Sequence, residues 1–337
     1  MKQLDIDIDF VITWVDGSDP EWIKSFNIYA DKSNQIDIDK SAERYRDYGL
    51  LKYWFRGVEK FAPWVRKIHF ITCGQKPEWL NIEHPKLNFV QHSDYINKEY
   101  LPTFSSNSIE VNMHKISGLS EHFVYFNDDF FIIKPLAKEF FFSNGLPNDC
   151  AVQNIISCNG FSVMMGIVAN NLFEINKNFT KKNVILNNFS KWFNVKYGKD
   201  NLKNIILSKW KRYVGFINPH FPQPFLKSQI EDCWMHCGEK LESTSKNRFR
   251  TALDVNQWLF RYWHICNGKF VPSVPYKDKK YFQLGNDSIN EICEAVYAQK
   301  YSEICINDGS DENFVESKEK LCAAFDAILP EKSKFEV

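Results

Sequence analysis

No stretch of the 337 residues approaches the run of about 18–20 apolar residues that crosses a bilayer. The best candidate, Val163-Met-Met-Gly-Ile-Val-Ala169, is far too short. The N-terminal Met1-Lys-Gln-Leu-Asp-Ile-Asp-Ile-Asp9 has no apolar signal core. A soluble cytoplasmic protein is expected, with peripheral docking at the inner face of the plasma membrane left open. Net charge is missing too: 42 Lys and Arg meet 42 Asp and Glu. A nucleic-acid binder relying on phosphate neutralisation would show a basic excess, so no nucleic-acid partner is expected. The nine cysteines include no Cys-x-x-Cys pair. Cys233 and Cys237, with His236 between them, form the one tight cluster, and no second pair lies at zinc-finger spacing. They read as buried free thiols in a reducing compartment. There is no Walker loop, no Gly-rich dinucleotide fingerprint and no internal repeat.

What is present is an ordinary globular composition, 44% hydrophobic and 25% charged, with a high aromatic share of 16%. The length allows one large or two modest domains. The most informative stretch is His122-Phe-Val-Tyr-Phe-Asn-Asp128-Asp129-Phe-Phe-Ile-Ile133. Aromatic and β-branched residues make a buried strand, and two adjacent carboxylates follow it. Such a pair either caps a turn, or sits at a strand end where a divalent cation neutralises it. Asp9-Phe-Val-Ile-Thr-Trp-Val15 is a first strand and runs into Asp16-Gly-Ser-Asp19. That is an ordinary turn or a nucleotide or metal contact. Ile304-Cys-Ile-Asn-Asp308 is a third strand followed by an acid.

Residues 31–43 read as a loop, and Asp47 to Phe61 as a helix that Pro63 ends. Strands follow at Lys67–Cys73 and Leu87–Val90, then a helix from Ser108 to Glu121. Strand, helix and strand in alternation predict a parallel α/β sheet. The chain divides into an N-terminal α/β part (1–146), an Asn- and Lys-rich helical insertion (147–216) and a C-terminal part (217–337). Helices are expected at Val184–Trp192 and Leu202–Trp210 within the insertion. The C-terminal part holds His220, set among prolines in a stiff loop, as a base or as a packed loop histidine. It also holds Arg248 and Arg250, a phosphate clamp or a surface pair, and helices at Asp254–His264 and Glu312–Ile328.

The wording of several segments resembles the Stealth family of capsular and cell-wall polysaccharide phosphotransferases, similar to the catalytic subunit of lysosomal-enzyme GlcNAc-1-phosphotransferase. Ile8-Asp-Phe-Val-Ile-Thr-Trp-Val-Asp-Gly-Ser-Asp19 resembles the family's first region. Arg44-Tyr-Arg46-Asp, Ala62-Pro-Trp-Val, Gly74-Gln-Lys-Pro-Glu-Trp-Leu80, Leu101-Pro-Thr-Phe and Ser108-Ile-Glu110, ending at Asn127-Asp-Asp129, resemble the second. His220 to Pro224, Arg248-Phe-Arg250 and Asp254-Val255 resemble the third; Ile306-Asn-Asp308 and Lys332-Ser-Lys-Phe-Glu336 resemble the fourth. Lys334 departs from the proline of many members, and 147–215 matches no region.

The resemblance implies a Rossmann-like nucleotide-sugar-binding sheet whose C-terminal part completes one catalytic domain. It implies transfer of a hexose- or N-acetylhexosamine-1-phosphate from a UDP-sugar to an oligosaccharide or polysaccharide acceptor, free or lipid-linked, with release of UMP. Mg²⁺ or Mn²⁺ would sit on Asp128, Asp129 and Asp308. Asp16, Asp19, Arg44, Arg46 and Arg248 would meet the donor, and His220, Asp129 and Arg250 would serve catalysis. A metal-dependent glycosyltransferase releasing UDP is the runner-up; an aromatic-rich carbohydrate-binding protein is the third reading.

Overall fold

β1 (Ile8–Thr13) is buried over its first five residues, so both of its faces need a covering layer. The computed structural model describes residues 6–32, 45, 47–157, 160, 162–309 and 313–337, the side chains of 31 and 32 excepted. After β1 come α1 (Pro20–Lys32), α2 (Leu51–Phe61), β2 (Ile68–Thr72), β3 (Leu87–Gln91), α3 (Ser106–Glu110), β4 (His122–Phe126), β5 (Phe130–Ile132), β6 (Phe142–Ser143) and β7 (Leu146–Asp149). Four helices follow: α4 (Val163–Asn178), α5 (Lys181–Asn187), α6 (Phe189–Trp192) and α7 (Asn201–Leu207). β8 (Gln223–Leu226), α8 (Lys227–Ser245), α9 (Gln257–Cys266), β9 (Val271–Pro272), β10 (Lys279–Gln283), α10 (Ile289–Tyr297), β11 (Glu303–Asn307) and α11 (Phe314–Ile328) close the described chain.

The central sheet has the order β3-β2-β1-β4-β8. Its first four members are parallel, as the strand–helix–strand alternation predicts, and β8 runs antiparallel at the edge. Successive strands move outward from β1 to β3, and the chain then returns to the far side of β1 as β4. The loops after β1 and β4 therefore diverge and leave a crevice at the carboxyl ends, the usual ligand position in such sheets. Ile8, Phe10, Ile12, Val124 and Phe126 pack on one face with residues of α2, α10 and α11. Val11, Phe123 and Tyr125 pack on the other with residues of α8 and α9. The result is an α/β fold with a parallel-rich central sheet.

A second sheet, β10-β11-β5, grows from the end of β4. β11 is parallel to β10 and antiparallel to β5. The C-terminal segment is fastened to α2: Arg56 donates to both carboxylate oxygens of Glu336 at 2.8 Å, and Phe335 packs on Phe55. Among the described residues, no helix is long and apolar enough to cross a membrane.

Several local expectations are corrected. The helix expected from Ser108 to Glu121 ends at Glu110, because Asn112 Nδ2 donates to the Ser108 carbonyl (2.8 Å) that a continuing helix would use. The expected 31–43 loop begins inside α1, and its residues 33–43 lie outside the described residues. α1 itself was unforeseen, although Asp19 and Pro20 form a cap and first-position pair. The segment expected as one helix at Val184–Trp192 splits between α5 and α6, and α7 stops at Leu207. Pro224 belongs to β8, where an edge strand tolerates a residue with no N–H.

At the opposite end of the sheet, Asp9 is buried and accepts from Arg66 (2.8 and 2.5 Å), His69 Nε2 (2.9 Å) and the Ser120 amide (2.8 Å). Burial alone would raise its pKa; the bonds from His69, Arg66 and Ser120 outweigh that and hold it below the usual carboxylate value. Its stabilisation is therefore full above the unfolded value of about 4 and is lost as pH falls through the lower folded value. Asp9→Asn should cost on the order of 3 kcal/mol at pH 7 in urea unfolding, with the gap from wild type narrowing below about pH 4.

Candidate active site

β1 and β4 end side by side, with Ile12 opposite Phe126. The turn after β1 thus lies next to Asn127-Asp128-Asp129. β8 runs the other way along β4, with Gln223 opposite Tyr125. His220, just before β8, is delivered to the carboxyl end of β4 for that reason. Its Nε2 stands 3.5 Å from Asp129 Oδ2. β11 reaches the same place from the second sheet: Cys305 is opposite Phe130, and its Sγ donates to Asp129 Oδ2 at 3.3 Å. Asp129, His220 and Cys305 are the one group of three potential metal-ligating side chains that converge among the described residues, their ligand atoms all within 4.8 Å.

Asp129 Oδ1 is buried and has no hydrogen-bond partner. Asp128 is exposed at the carboxyl end of β4. Desolvation there, then the charges of Asp129 and Asp47, push it up to about 7. Asp47 is raised in turn, by desolvation and by Asp16, although Lys318 partly offsets this. Four carboxylates thus crowd one end of the sheet.

Across from them, His220 lies between Phe130 (rings 5.0 Å apart) and Tyr281 (5.9 Å). Burial disfavours its charged form; the hydrogen bond and charge of Asp129 and the charge of Glu110 outweigh this, and its pKa is raised. His264 shows the contrast. It is buried, accepts from the Leu226 amide (3.0 Å) and donates to the Phe260 carbonyl (2.7 Å), and desolvation pushes it down to about 4. His264 is the packed core histidine; the side chain of His220 is 36% exposed.

The loop carrying His220 is held from behind. Arg261 pairs with Asp149 through Nε (2.9 Å) and a terminal nitrogen (2.7 Å), both groups buried, and donates to the Ile217 carbonyl at 2.7 Å. Tyr262 donates to Asn218 Oδ1 at 2.6 Å. A second frame joins distant motifs. Phe104 and Phe249 stack 5.2 Å apart, the Phe104 amide donates to the Arg248 carbonyl (2.7 Å), and Ser108 Oγ donates to the carbonyls of Thr244 (2.9 Å) and Asn247 (2.6 Å). Buried Asp254 accepts from Asn107, Asn247 and Thr251. Asp254 therefore organises a loop, and the helix expected from it begins at Gln257. This frame brings Glu110 and Arg250 beside His220, and each contributes to the other's electrostatics. Glu110 is buried and raised, chiefly by desolvation, and accepts from Tyr125 (3.3 Å) and the Gln257 amide (3.2 Å). Arg250 donates to Ser106 Oγ.

Not every expected residue joins the Asp129–His220–Cys305 group. Asp16 accepts from the Ser18 amide (2.8 Å) and hydroxyl (2.6 Å), and Asp19 Oδ1 accepts from the Glu21 (2.8 Å) and Trp22 (3.1 Å) amides, capping α1. The Arg248 guanidinium donates to the carbonyls of Pro102 (2.7 Å), Tyr100 (3.3 Å) and Glu99 (3.4 Å), over the Tyr29 ring. Arg44 and Arg46 lie outside the described residues. Asp308 accepts from Tyr48 at 2.9 Å, and neither it nor Asp128 belongs to the Asp129–His220–Cys305 group. Sequence reasoning gave Asp47, Cys305, Tyr281 and Glu110 no role in the site. Asp47 and Glu110 carried a signal, each as part of a recognisable motif. Gly17 has a further reason beyond the turn: a Cβ there would lie 2.3 Å from the Tyr45 carbonyl oxygen.

Carboxylates at a switch point, facing a histidine on a buttressed loop, are the arrangement of an α/β enzyme cleft. The family model for Stealth protein conserved region 1 matches residues 7–33, and that for conserved region 2 matches 44–149. Capsular polysaccharide phosphotransferase WcwK of Streptococcus pneumoniae is 44% identical over 337 residues, covering 100% of this chain and 99% of the relative. Exopolysaccharide phosphotransferase cps2G of Lactiplantibacillus plantarum is 41% identical over 334 residues, 98% of this chain and 96% of the relative. The chain belongs to the Stealth family. Among solved structures, the glycosyltransferase GlyE of Streptococcus pneumoniae TIGR4 aligns at 9% identity over 93% of this chain and 83% of that chain, with a TM-score of 0.26, too slight a likeness to argue from.

Arg261→Met should destabilise the protein by about 3–5 kcal/mol in urea unfolding, because it strands Asp149 as a buried unpaired charge. Tyr262→Phe, which releases only the Asn218 anchor, should cost about 1 kcal/mol.

Proposed function

We propose that this protein transfers a sugar-1-phosphate from a nucleotide sugar, of the UDP-hexose or UDP-N-acetylhexosamine class, to a hydroxyl of a bacterial capsular or exopolysaccharide acceptor, releasing UMP. Phosphotransfer onto polysaccharide follows from its relatives, which are named capsular polysaccharide and exopolysaccharide phosphotransferases. The observation that carries the donor reading is the carboxylate crowd at the β1–β4 crevice, where Asp16, Asp47, Asp128 and Asp129 act on one another. A pyrophosphate cannot approach that crowd unaided. The carboxylates of the crevice suit a hard divalent cation, Mg²⁺ or Mn²⁺: Asp128 is exposed there, and Asp129 Oδ1 is buried and unpartnered. Burial holds the Cys305 thiol well above its ordinary pKa, so it remains a weak donor to Asp129 and does not compete as a thiolate ligand. Asp128 and Asp129 would hold the cation, which when bound would neutralise pyrophosphate charge.

This chain's residues then have distinct tasks. Asp129 Oδ2 orients His220 through Nε2, leaving Nδ1 to take the proton of the acceptor hydroxyl. The acceptor oxygen forms a bond to the sugar-bearing phosphorus as the bond from that phosphorus to the bridging oxygen breaks, and UMP departs with that oxygen. Such transfer depends mainly on in-line positioning and charge stabilisation. Arg250 supplies positive charge beside Glu110 and His220.

Incubation with a divalent cation, a panel of UDP-sugars and capsular oligosaccharides should yield acceptor-dependent UMP, resolved from UDP by chromatography. UDP in its place would establish the glycosyltransferase alternative. His220→Ala should lose about 10²–10⁴ in kcat, and a loss confined to KM would make His220 a binder instead. Mn²⁺ should raise the Tm of the wild type and leave that of an Asp128→Asn, Asp129→Asn double variant unchanged; equal shifts in both would remove these carboxylates from cation binding.

A further inference from the structure

The segment 177–212 holds ten Lys and Arg residues and one acid, Asp200, within a chain whose charges balance overall. Its last helix, α7, is pinned on one side. Asn204 is buried and donates to the carbonyls of Ala151 and Trp192 at 2.7 Å each. Lys181 Nζ holds the Leu207 carbonyl at 2.6 Å. The opposite side is apolar and uncovered: Leu202, Ile205 and Ile206, at i, i+3 and i+4, are 61%, 53% and 59% exposed. Trp210 follows at 50%, and Val195 precedes them at 91%. Residues 195–212 carry five exposed lysines and exposed Arg212 beside these apolar side chains in sequence.

Soluble surfaces seldom collect large aliphatic side chains on a rigid helix. A polyanion in solution, nucleic acid or polysaccharide, would use the basic residues and leave the aliphatics wet. A protein interface would deplete lysine around such a core. An anionic bilayer uses both sets: aliphatics enter the acyl boundary, tryptophan sits at the headgroup level, and lysines meet lipid phosphates. We propose that residues 195–212 form a docking surface for an anionic phospholipid bilayer, on which the protein lies peripherally through the exposed face of α7. The proposal rests on this surface alone and stands apart from the reaction assigned to the cleft.

The test is co-sedimentation of the full chain with phosphatidylcholine vesicles, with and without phosphatidylglycerol. The protein should pellet with the anionic vesicles and stay in the supernatant with neutral ones, and salt should weaken the binding. An Ile205→Ser, Ile206→Ser double variant and a Lys209→Glu, Lys211→Glu, Arg212→Glu triple variant should each reduce binding at least about tenfold while keeping the wild-type circular dichroism and Tm. Three results would overturn the proposal: no pelleting of the wild type with anionic vesicles; binding that survives both variants; or a lipid-free dimer that the isoleucine variant dissociates, which would make this face an interface between copies.

Discussion

Crowding of like charge at the end of β4 is the constraint on which the rest of the structure depends. Asp128 and Asp129 are adjacent in sequence, lie next to Asp47, and sit where a parallel sheet opens. Three buried acids elsewhere are satisfied. Asp9 has Arg66 and His69, Asp149 has Arg261, and Asp254 has Asn107, Asn247 and Thr251. Those carboxylates are saturated with donors and act as fasteners. The pair after β4 is left short of donors: Oδ1 of Asp129 has no partner, and Asp128 is raised toward neutrality. These three fasteners thus differ from the Asp128–Asp129 pair in how fully each is hydrogen-bonded.

The surrounding architecture keeps that unsatisfied state rigid. Asp149 and Arg261 bury a complete ion pair behind the His220 loop, so the histidine approaches Asp129 from a fixed direction. β11 closes the other side, placing a thiol that stays protonated against the same carboxylate. Stiffness in the second layer substitutes for hydrogen bonds missing in the first.

Much of this was legible in the sequence. The parallel sheet, α2 and the acidic ends of β1, β4 and β11 announce themselves through apolar runs that stop at aspartate. His220 stood out by its prolines. What could not be read depends on pairing between distant segments. Nothing local says that Gln223 will lie opposite Tyr125, or that Cys305 will lie opposite Phe130. Arg248 and Arg250 look equivalent in sequence, yet one is engaged by the carbonyls of residues 99–102 and the other stands by Glu110. The helix expected after Ser108 failed because an asparagine side chain took a backbone carbonyl, a competition that hydrophobic spacing does not register.

The fastening of Glu336 to Arg56 has a consequence for how the protein comes into being. The site draws on residues from Asp129 to Cys305, and the terminal clasp ties the last residues of the described chain to its second helix. Contacts spanning most of the sequence fold late, after the costs of long loop closure have been met. A piece of the chain that stops before His220 and β11 thus displays the paired aspartates without their histidine or their closing strand.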